Sequence, residues 1–218
     1  EVHLKEGPMM AAPDVFNIKI IGKGGHGAVP QESIDPIVIT CQIVNAIQTI
    51  VSRKTNPLDP VVVTCGRIQG GDCHNVIPNE VELEGTIRTF NEETRKWVPR
   101  VMEDLVKGIT TCQGATYEFK YEPKYPALIN DKDMTKFAKE SLKKVVGEDN
   151  VFYLKEPNMG GEDFAYFAQK VPSAFIFVGI SKDESEPAIH HNPYFTWDSK
   201  NVGILAQGLS QIAVDYLK

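Results

Sequence analysis

Residues 15–30 read VFNIKIIGKGGHGAVP, an alternation of apolar and polar residues that ends in a glycine-rich turn. Phe16, Ile18 and Ile20 would face one side of an extended chain and the polar residues between them the other, which is the period of a half-buried β-strand. We therefore expect a strand over residues 15–21.

Helical and extended patterns alternate from this strand to residue 122. The predicted elements are a helix over residues 35–53, strands over 61–68 and 81–90, a helix over 92–109 and a strand over 117–121. Pro99 is expected to break or kink the second helix. With the first strand, the order is strand, helix, strand, strand, helix, strand, which is typical of a ferredoxin-like domain.

The first of these helices carries an apolar stripe at helical spacing, which we expect to face the core. The stripe consists of Ile37, Cys41, Val44, Ile47 and Val51. Asp35 and Pro36 are suited to the start of this helix, and Arg53 and Lys54 to its end.

A second region follows Pro123 and Pro126, which bracket an expected linker. The predicted elements are a helix capped by Asp131, short buried strands over residues 151–154 and 174–178, and a closing helix capped by Ser199, with a stripe of Val202, Leu205, Leu209, Ile212 and Tyr216. This alternation of helices and strands fits half of an α/β domain whose other half is absent.

Composition and charge argue against several classes of protein. The formal net charge is -6 and the lysines are scattered among acids, so the basic stripe that nucleic-acid binding requires is missing. No apolar run approaches the roughly 18 residues of a membrane span, and the first residues lack the layout of a signal peptide. We expect neither nucleic acid nor a membrane as partner, and a cytoplasmic location.

The cysteines form no CxxC pair, so a redox or disulfide-stabilised protein is not indicated. We expect all of them to be reduced and buried. They are Cys41, Cys65, Cys73 and Cys112.

Local sequence leaves two interpretations for each candidate histidine. His26 is either incidental to its glycine-rich turn or exposed there for function, because glycines allow backbone geometries closed to other residues. His190 and His191 lie in a loop, where they are either solvated or available to a metal ion.

Local sequence also leaves the roles of the polar candidate residues open. Glu162 and Asp163 follow Gly161 and either cap a helix or supply a site carboxylate. Arg88, on the polar face of its strand beside Glu82 and Glu84, is either a surface ion-pair partner or a fork for a substrate carboxylate. Asn75 is a loop amide. The motifs HExxH and GxSxG are missing.

Seven short motifs, in order, resemble those of the dinuclear metal amidohydrolases and peptidases that include aminoacylase, hippurate hydrolase, N-acetyl-diaminopimelate deacetylase and the hydrolases of indole-acetyl amino acids. They are GPMMAA from Gly7, GKGGHGA from Gly22, DP from Asp35, NVIP from Asn75, GTIRTF from Gly85, GGEDF from Gly160 and HNP from His191. Each is weak alone, but their order over nearly the whole chain is specific.

The resemblance implies a ferredoxin-like lid, which also forms a homodimer, inserted into a zinc-exopeptidase-like α/β domain. Residues 1–14 would end one segment of the catalytic domain, residues 15–122 would form the lid, and residues 123–218 would be the C-terminal half of the catalytic domain. Helix 35–53 and an exposed strand edge of the lid are the expected dimer contact.

The resemblance also implies site roles. His26 would reach the partner subunit's active site and stabilise the oxyanion, Asn75 and Arg88 would hold the substrate's carboxylate, Gly161 and Glu162 would shape the pocket floor, and His191 would be a metal ligand. The substrate would be an N-acyl amino acid or a short peptide, and the cofactors two divalent ions, zinc or manganese or cobalt.

The family's Cys-Gly-His-Asp-type segment and its general base do not occur in this sequence, so we expect it to be a fragment. The 218 residues alone are expected to bind no catalytic metal and to show no hydrolysis. The alternative hypothesis is a non-catalytic dimerisation or binding module built on the ferredoxin-like fold.

Overall fold

The computed structural model describes residues 1–181 and 191–218. They divide into two compact units, of which the first comprises Glu1–Met9, Ile129–Asn158 and Phe164–Lys218 and the second Met10–Leu128 and Met159–Asp163. The strands are β1 (Val2–Leu4), β2 (Gly7–Met10), β3 (Ala12–Ile21), β4 (Gly25–His26), β5 (Val61–Gln69), β6 (Val76–Ile77), β7 (Glu80–Thr89), β8 (Thr116–Glu122), β9 (Leu128–Asn130), β10 (Val151–Tyr153) and β11 (Phe177–Val178). The α-helices are α1 (Pro36–Thr49), α2 (Glu92–Cys112), α3 (Lys132–Val146), α4 (Ala165–Ala168) and α5 (Lys200–Tyr216).

The second unit is built on a four-stranded antiparallel sheet in the order β5-β7-β3-β8. Helices α1 and α2 connect its strands, so the predicted order of elements is observed. Phe16, Ile18 and Ile20 are fully buried against residues of both helices, because their alternation in β3 turns all three to one face. Strand β3 begins three residues earlier than predicted, at Ala12.

Helix α1 begins as predicted, since the Asp35 carboxylate accepts hydrogen bonds from the N–H groups of Ile37 (2.9 Å) and Val38 (3.4 Å). Its predicted apolar stripe is wrong. The buried residues that face the core are Ile39, Ile43, Ile47 and, in a following π-helical turn, Ile50. Of the predicted stripe only Ile47 is fully buried, because α1 is apolar on more than one side.

Helix α2 runs continuously through Pro99, so the expected break does not occur. Pro99 has no N–H to donate to the Arg95 carbonyl one turn earlier. The Tyr121 hydroxyl of β8 lies 3.5 Å from that carbonyl oxygen. The Pro99 side chain is buried.

The first unit has a small sheet in the order β10-β1-β11, with α3 packed on it. Val2 and Leu4 of β1 are fully buried against Ala138 and Leu142 of α3. The Asp131 carboxylate caps α3, as predicted, by accepting from the Met134 N–H at 2.8 Å. The predicted strand over residues 174–178 is reduced to Phe177–Val178.

The closing helix α5 departs from its prediction in two ways. Ser199 occupies the N-cap position without a side-chain bond, and the Asp198 carboxylate accepts from the Lys200 N–H at 3.0 Å instead. The predicted stripe is mostly exposed, with Leu209 at 54% and Tyr216 at 67%, and only Ile212 of its members packs against the buried cluster of this unit. Within the described ranges no helix has the length and apolar composition to cross a membrane.

Candidate functional site

His26 lies at the end of a two-residue strand and its side chain is exposed to solvent. Its Nδ1 accepts a hydrogen bond from the Ala28 N–H at 3.0 Å. A neutral imidazole that accepts at Nδ1 carries its proton on Nε2. The turn therefore presents the Nε2–H of His26 to solvent as a donor.

The glycines on both sides of His26 are required by a close approach to residues 75–79. A Cβ at Gly27 would lie 2.9 Å from the Asn75 carbonyl oxygen, and one at Gly24 would lie 2.8 Å from that of Ile77. Strand β4 pairs with β6 at this point, so that His26 is opposite Val76, and the Gly27 N–H donates to the Asn75 carbonyl at 2.8 Å. Two predicted site residues, His26 and Asn75, are thus brought together.

Asn75 sits in an exposed turn closed by a bond from the Val76 N–H to the Cys73 carbonyl, 3.4 Å long. The Cys73 thiol donates to Asn75 Oδ1 over 3.0 Å. Sequence reasoning missed this contact, although the spacing of two residues in the run Asp72-Cys73-His74-Asn75 was available to suggest it.

Arg88 is half-buried in β7, and its side chain has no hydrogen bond or ion pair with any residue that the structure describes. The ion pair with Glu82 or Glu84 that its strand position suggested is not formed. Glu84 pairs instead with Arg67 at 2.8 Å, and Glu82 lies 3.9 Å from Lys19. The five N–H donors of Arg88 therefore remain available to a ligand.

Gly161 lies next to the strand that pairs with Arg88. The Ala11 N–H donates to the Gly160 carbonyl at 2.9 Å, and a Cβ at Gly161 would come within 2.3 Å of the Pro13 ring. Pro13 is the cross-strand partner of Arg88, and directly opposed residues share one face of a sheet. A second pair of predicted site residues, Arg88 and Gly161, is thus placed at one end of the sheet.

Glu162 is half-buried in the segment that follows. The N-cap position of helix α4 is held by Phe164, without a side-chain cap. The interpretation of Glu162 or Asp163 as the N-cap residue is therefore wrong. Their place as candidate site carboxylates stays a prediction.

His191 belongs to the first unit and is exposed. Its φ is 61°, in the left-handed region, and no other non-glycine residue of the described chain has a positive φ. Such conformations cost free energy and cluster at functional positions. His190, the other histidine of the predicted pair, lies outside the described residues.

Residues 1–181 and 191–218 alone do not supply enough ligands for a metal pair. No group of three or more His, Cys, Asp and Glu side chains there could hold a metal ion. Catalytic zinc needs about three protein ligands and a structural zinc about four. The described residues by themselves therefore do not fit the metal pair implied by the resemblance.

The cysteines are free, and the expectation that all are buried is wrong. Cys41, Cys73 and Cys112 are exposed and Cys65 is half-buried. Burial raises the pKa of the Cys65 thiol. The exposed Cys73 is the one in contact with a predicted site residue.

Comparison with known proteins gives one consistent result. Residues 1–212 match the model of the peptidase family M20/M25/M40. The chain is 39% identical over 217 residues to the N-acetylcysteine deacetylase of Bacillus subtilis, covering 100% of this chain and 55% of that protein. It is 54% identical over 124 residues to the N-acyl-L-amino acid amidohydrolase of Geobacillus stearothermophilus, covering 57% of this chain and 34% of the relative.

A crystal structure of a Bacillus subtilis protein, described as a dinuclear metal-binding peptidase of the M20 family, is similar with a TM-score of 0.77 and 34% identity. The match covers 99% of this chain and 53% of that one. The chain spans about half the length, or less, of these relatives.

Proposed function

Because this chain belongs to the peptidase family M20/M25/M40, we propose that it is part of a metal-dependent hydrolase that cuts the amide bond of N-acyl amino acids or short peptides. The observation that carries the proposal is the extent of the family match, which runs over residues 1–212 and so includes both His26 and His191. The two curated relatives, one named a deacetylase and the other an amidohydrolase, support this substrate class.

His26 is proposed as the catalytic residue that stabilises negative charge on the scissile carbonyl oxygen, in the active site of the partner subunit. The bond from the Ala28 N–H to Nδ1 supports this role, because it leaves Nε2–H as an exposed donor. Donors aimed at a developing oxyanion are worth about 3 kcal/mol in other enzymes.

Asn75 and Arg88 are proposed to bind the carboxylate end of the substrate. Arg88 lies at the end of β7 far from residues 75–79, so Asn75, like the neighbouring His26, would come from the partner subunit. Arg88 can offer two parallel N–H bonds to a carboxylate, and it has no competing partner in the described chain. Gly161 and Glu162 would form the floor of the same pocket. The contact of Gly161 with Pro13, which pairs with Arg88, supports that placement.

We propose that two divalent metal ions, zinc or manganese or cobalt, take part in the reaction and that His191 is one of their ligands. The description of the Bacillus subtilis structure as a dinuclear metal-binding peptidase supports this. The other ligands and the general base would come from residues that do not occur in this sequence. The 218 residues alone would then show no hydrolysis.

Residues 15–122, which lie within the second unit, are proposed to be a ferredoxin-like lid that also forms a homodimer, with residues 1–14 and 123–218 belonging to the catalytic domain. The sheet order β5-β7-β3-β8 with its two connecting helices supports the fold. Strand β5 is an edge strand, and Ile37 and Val38 of α1 are 41% and 52% exposed. A free edge beside exposed apolar side chains favours pairing with a second copy.

The test is to purify the complete protein, measure its metal content and assay a panel of N-acyl amino acids and dipeptides. We expect hydrolysis that a chelator abolishes and added Zn²⁺, Mn²⁺ or Co²⁺ restores, and a dimer in sedimentation. A dimer without hydrolysis of any panel member would favour the non-catalytic module instead.

The four free cysteines are compatible with the reducing cytoplasm, where we expect the protein.

A further inference from the structure

The turn that carries Asn75 fixes the backbone of this residue from two sides. Its carbonyl accepts from the Gly27 N–H at 2.8 Å, and the next residue, Val76, pairs with His26. The side chain of Asn75 is exposed, so rotation about its χ angles is the freedom that remains. Whatever contacts the amide therefore decides which of its two polar atoms faces a ligand.

The Cys73 thiol makes that contact. It donates to Asn75 Oδ1 over 3.0 Å, while the Cys73 carbonyl closes the turn. With Oδ1 engaged, the planar amide directs its Nδ2 protons away from the thiol. An amide held in this way offers its Nδ2 N–H groups to a ligand, and it therefore favours a ligand group that accepts hydrogen bonds.

We propose that Cys73 is a positioning residue, which orients the Asn75 amide so that the site prefers a carboxylate over a carboxamide at the substrate's polar end. The inference rests on the proposed function and deepens it. Without the thiol, the Asn75 side chain could turn through 180° and present Oδ1, which would repel a carboxylate and accept from a carboxamide. Arg88, which is a donor only, gives the same preference independently.

The experiment compares an N-acyl amino acid with its carboxamide in the complete, metal-loaded enzyme and in three variants. Cys73→Ala is expected to raise KM for the acid about two- to tenfold with kcat unchanged. Without the thiol, the Asn75 amide is no longer held in place, and its neutral hydrogen bond to the substrate's carboxylate in the ground state is weakened. Cys73→Ser keeps a donor and is expected to stay within about twofold of the parent. Cys112→Ala, at another exposed free cysteine of the same unit, is the matched control and should match the parent.

Two results would overturn the proposal in an active enzyme. One is a KM for the acid in Cys73→Ala equal to that of the parent, and the other is a Cys73→Ser variant as impaired as Cys73→Ala. An inactive parent would count against the proposed function instead. In that case the ¹H–¹⁵N resonances of the Asn75 side chain decide: they should move in Cys73→Ala and return toward the parent in Cys73→Ser, and equal shifts in both variants would contradict the proposal.

Discussion

The Arg95 guanidinium holds the fully buried Asp14 carboxylate through two parallel bonds, Nε to Oδ2 and Nη2 to Oδ1, each 2.7 Å long. The Lys124 N–H donates to the same carboxylate at 2.9 Å, and the Tyr121 hydroxyl donates to it as well. One carboxylate thus joins the start of β3, the first turn of α2 and the chain after β8. Burial, and then the bond to Asp14, raises the pKa of Tyr121, so that its hydroxyl remains a donor.

Arg95→Met is therefore expected to lower the free energy of unfolding by about 3–5 kcal/mol, because it leaves a buried charge without its partner. Urea denaturation measures this directly. The matched control is Lys96→Met, whose side chain pairs with Glu92 at 3.4 Å on the exposed face of α2. The control should change stability by less than about 1 kcal/mol, and equal losses in both variants would contradict the role of the buried pair.

His26→Ala is expected to lower kcat about 100- to 1,000-fold in the complete enzyme, since it removes the donor proposed for the developing oxyanion. Metal content should not change, because His26 is not proposed as a ligand. His74→Ala is the control, since His74 is also exposed and only one residue from Asn75. If His74→Ala lost as much activity as His26→Ala, the donor would be misassigned.

Arg88→Met is expected to raise KM for substrates with a free carboxylate about tenfold or more, because the charge-assisted bond proposed between Arg88 and the carboxylate would be lost. Substrates whose carboxylate is amidated should lose less. Arg67→Met provides the comparison, because Arg67 lies on the neighbouring strand and already pairs with Glu84 at 2.8 Å. An unchanged KM in Arg88→Met would show that the carboxylate is bound elsewhere.

The sheet of the second unit could be predicted because each strand is recognisable from the residue pattern of its own segment. Strands β3, β7 and β8 alternate with period two, β5 begins with β-branched residues, and burial of one face follows from the pattern in β3 and β7. The continuity of α2 through Pro99 could not be predicted, since the burial of Pro99 depends on the packed structure. Likewise, α1 is apolar on more than one side, and only the packed structure decides which side faces the sheet.

For the candidate site, the sequence supplies candidate residues but not their arrangement. Histidine between glycines marks His26, but the pairing of β4 with β6, which brings His26 to Asn75, depends on residues about 50 positions apart in the sequence. The contact between Gly161 and Pro13 spans a still longer separation. The local sequence identifies the chemistry of each side chain. Which residues lie close together across such long separations is known only from the folded structure.

Asp215 of α5 links this helix to α3 and should make the stability of the first unit depend on acid pH. Hydrogen bonds from Lys144 first, then from Ser141 and Gln211, lower the pKa of Asp215 from 3.8 to about 2. A carboxylate whose pKa is lower in the folded state stabilises it fully above its unfolded pKa and loses that effect as pH falls toward the folded value.

The stability difference between the parent and Asp215→Asn is therefore expected to be constant above pH 5 or so, and to shrink between pH 3.8 and about 2. Thermal unfolding across this range measures it. Lys144→Met, which removes the 2.8 Å partner, should weaken the same pH dependence. A difference that stays constant down to pH 2 would contradict the assignment.

Gly161 and Gly203 are expected to respond in opposite directions to the same substitution. A methyl group at Gly161 would lie 2.3 Å from the Pro13 ring, closer than two carbon atoms can approach, so Gly161→Ala must displace the segment from the start of β3. Overpacking of this kind costs about 1–3 kcal/mol. Because Pro13 pairs with Arg88, the displacement should also raise KM for carboxylate substrates.

A methyl group at Gly203, inside α5, would meet no atom within 4 Å. Gly203→Ala is therefore expected to raise the free energy of unfolding by about 0.5–1 kcal/mol, because alanine loses less backbone entropy in a helix than glycine does. Chemical denaturation of both variants checks the pair. If Gly161→Ala were as stable as the parent and equally active, the segment would not be held against Pro13, and the pocket floor proposed there would have to lie elsewhere.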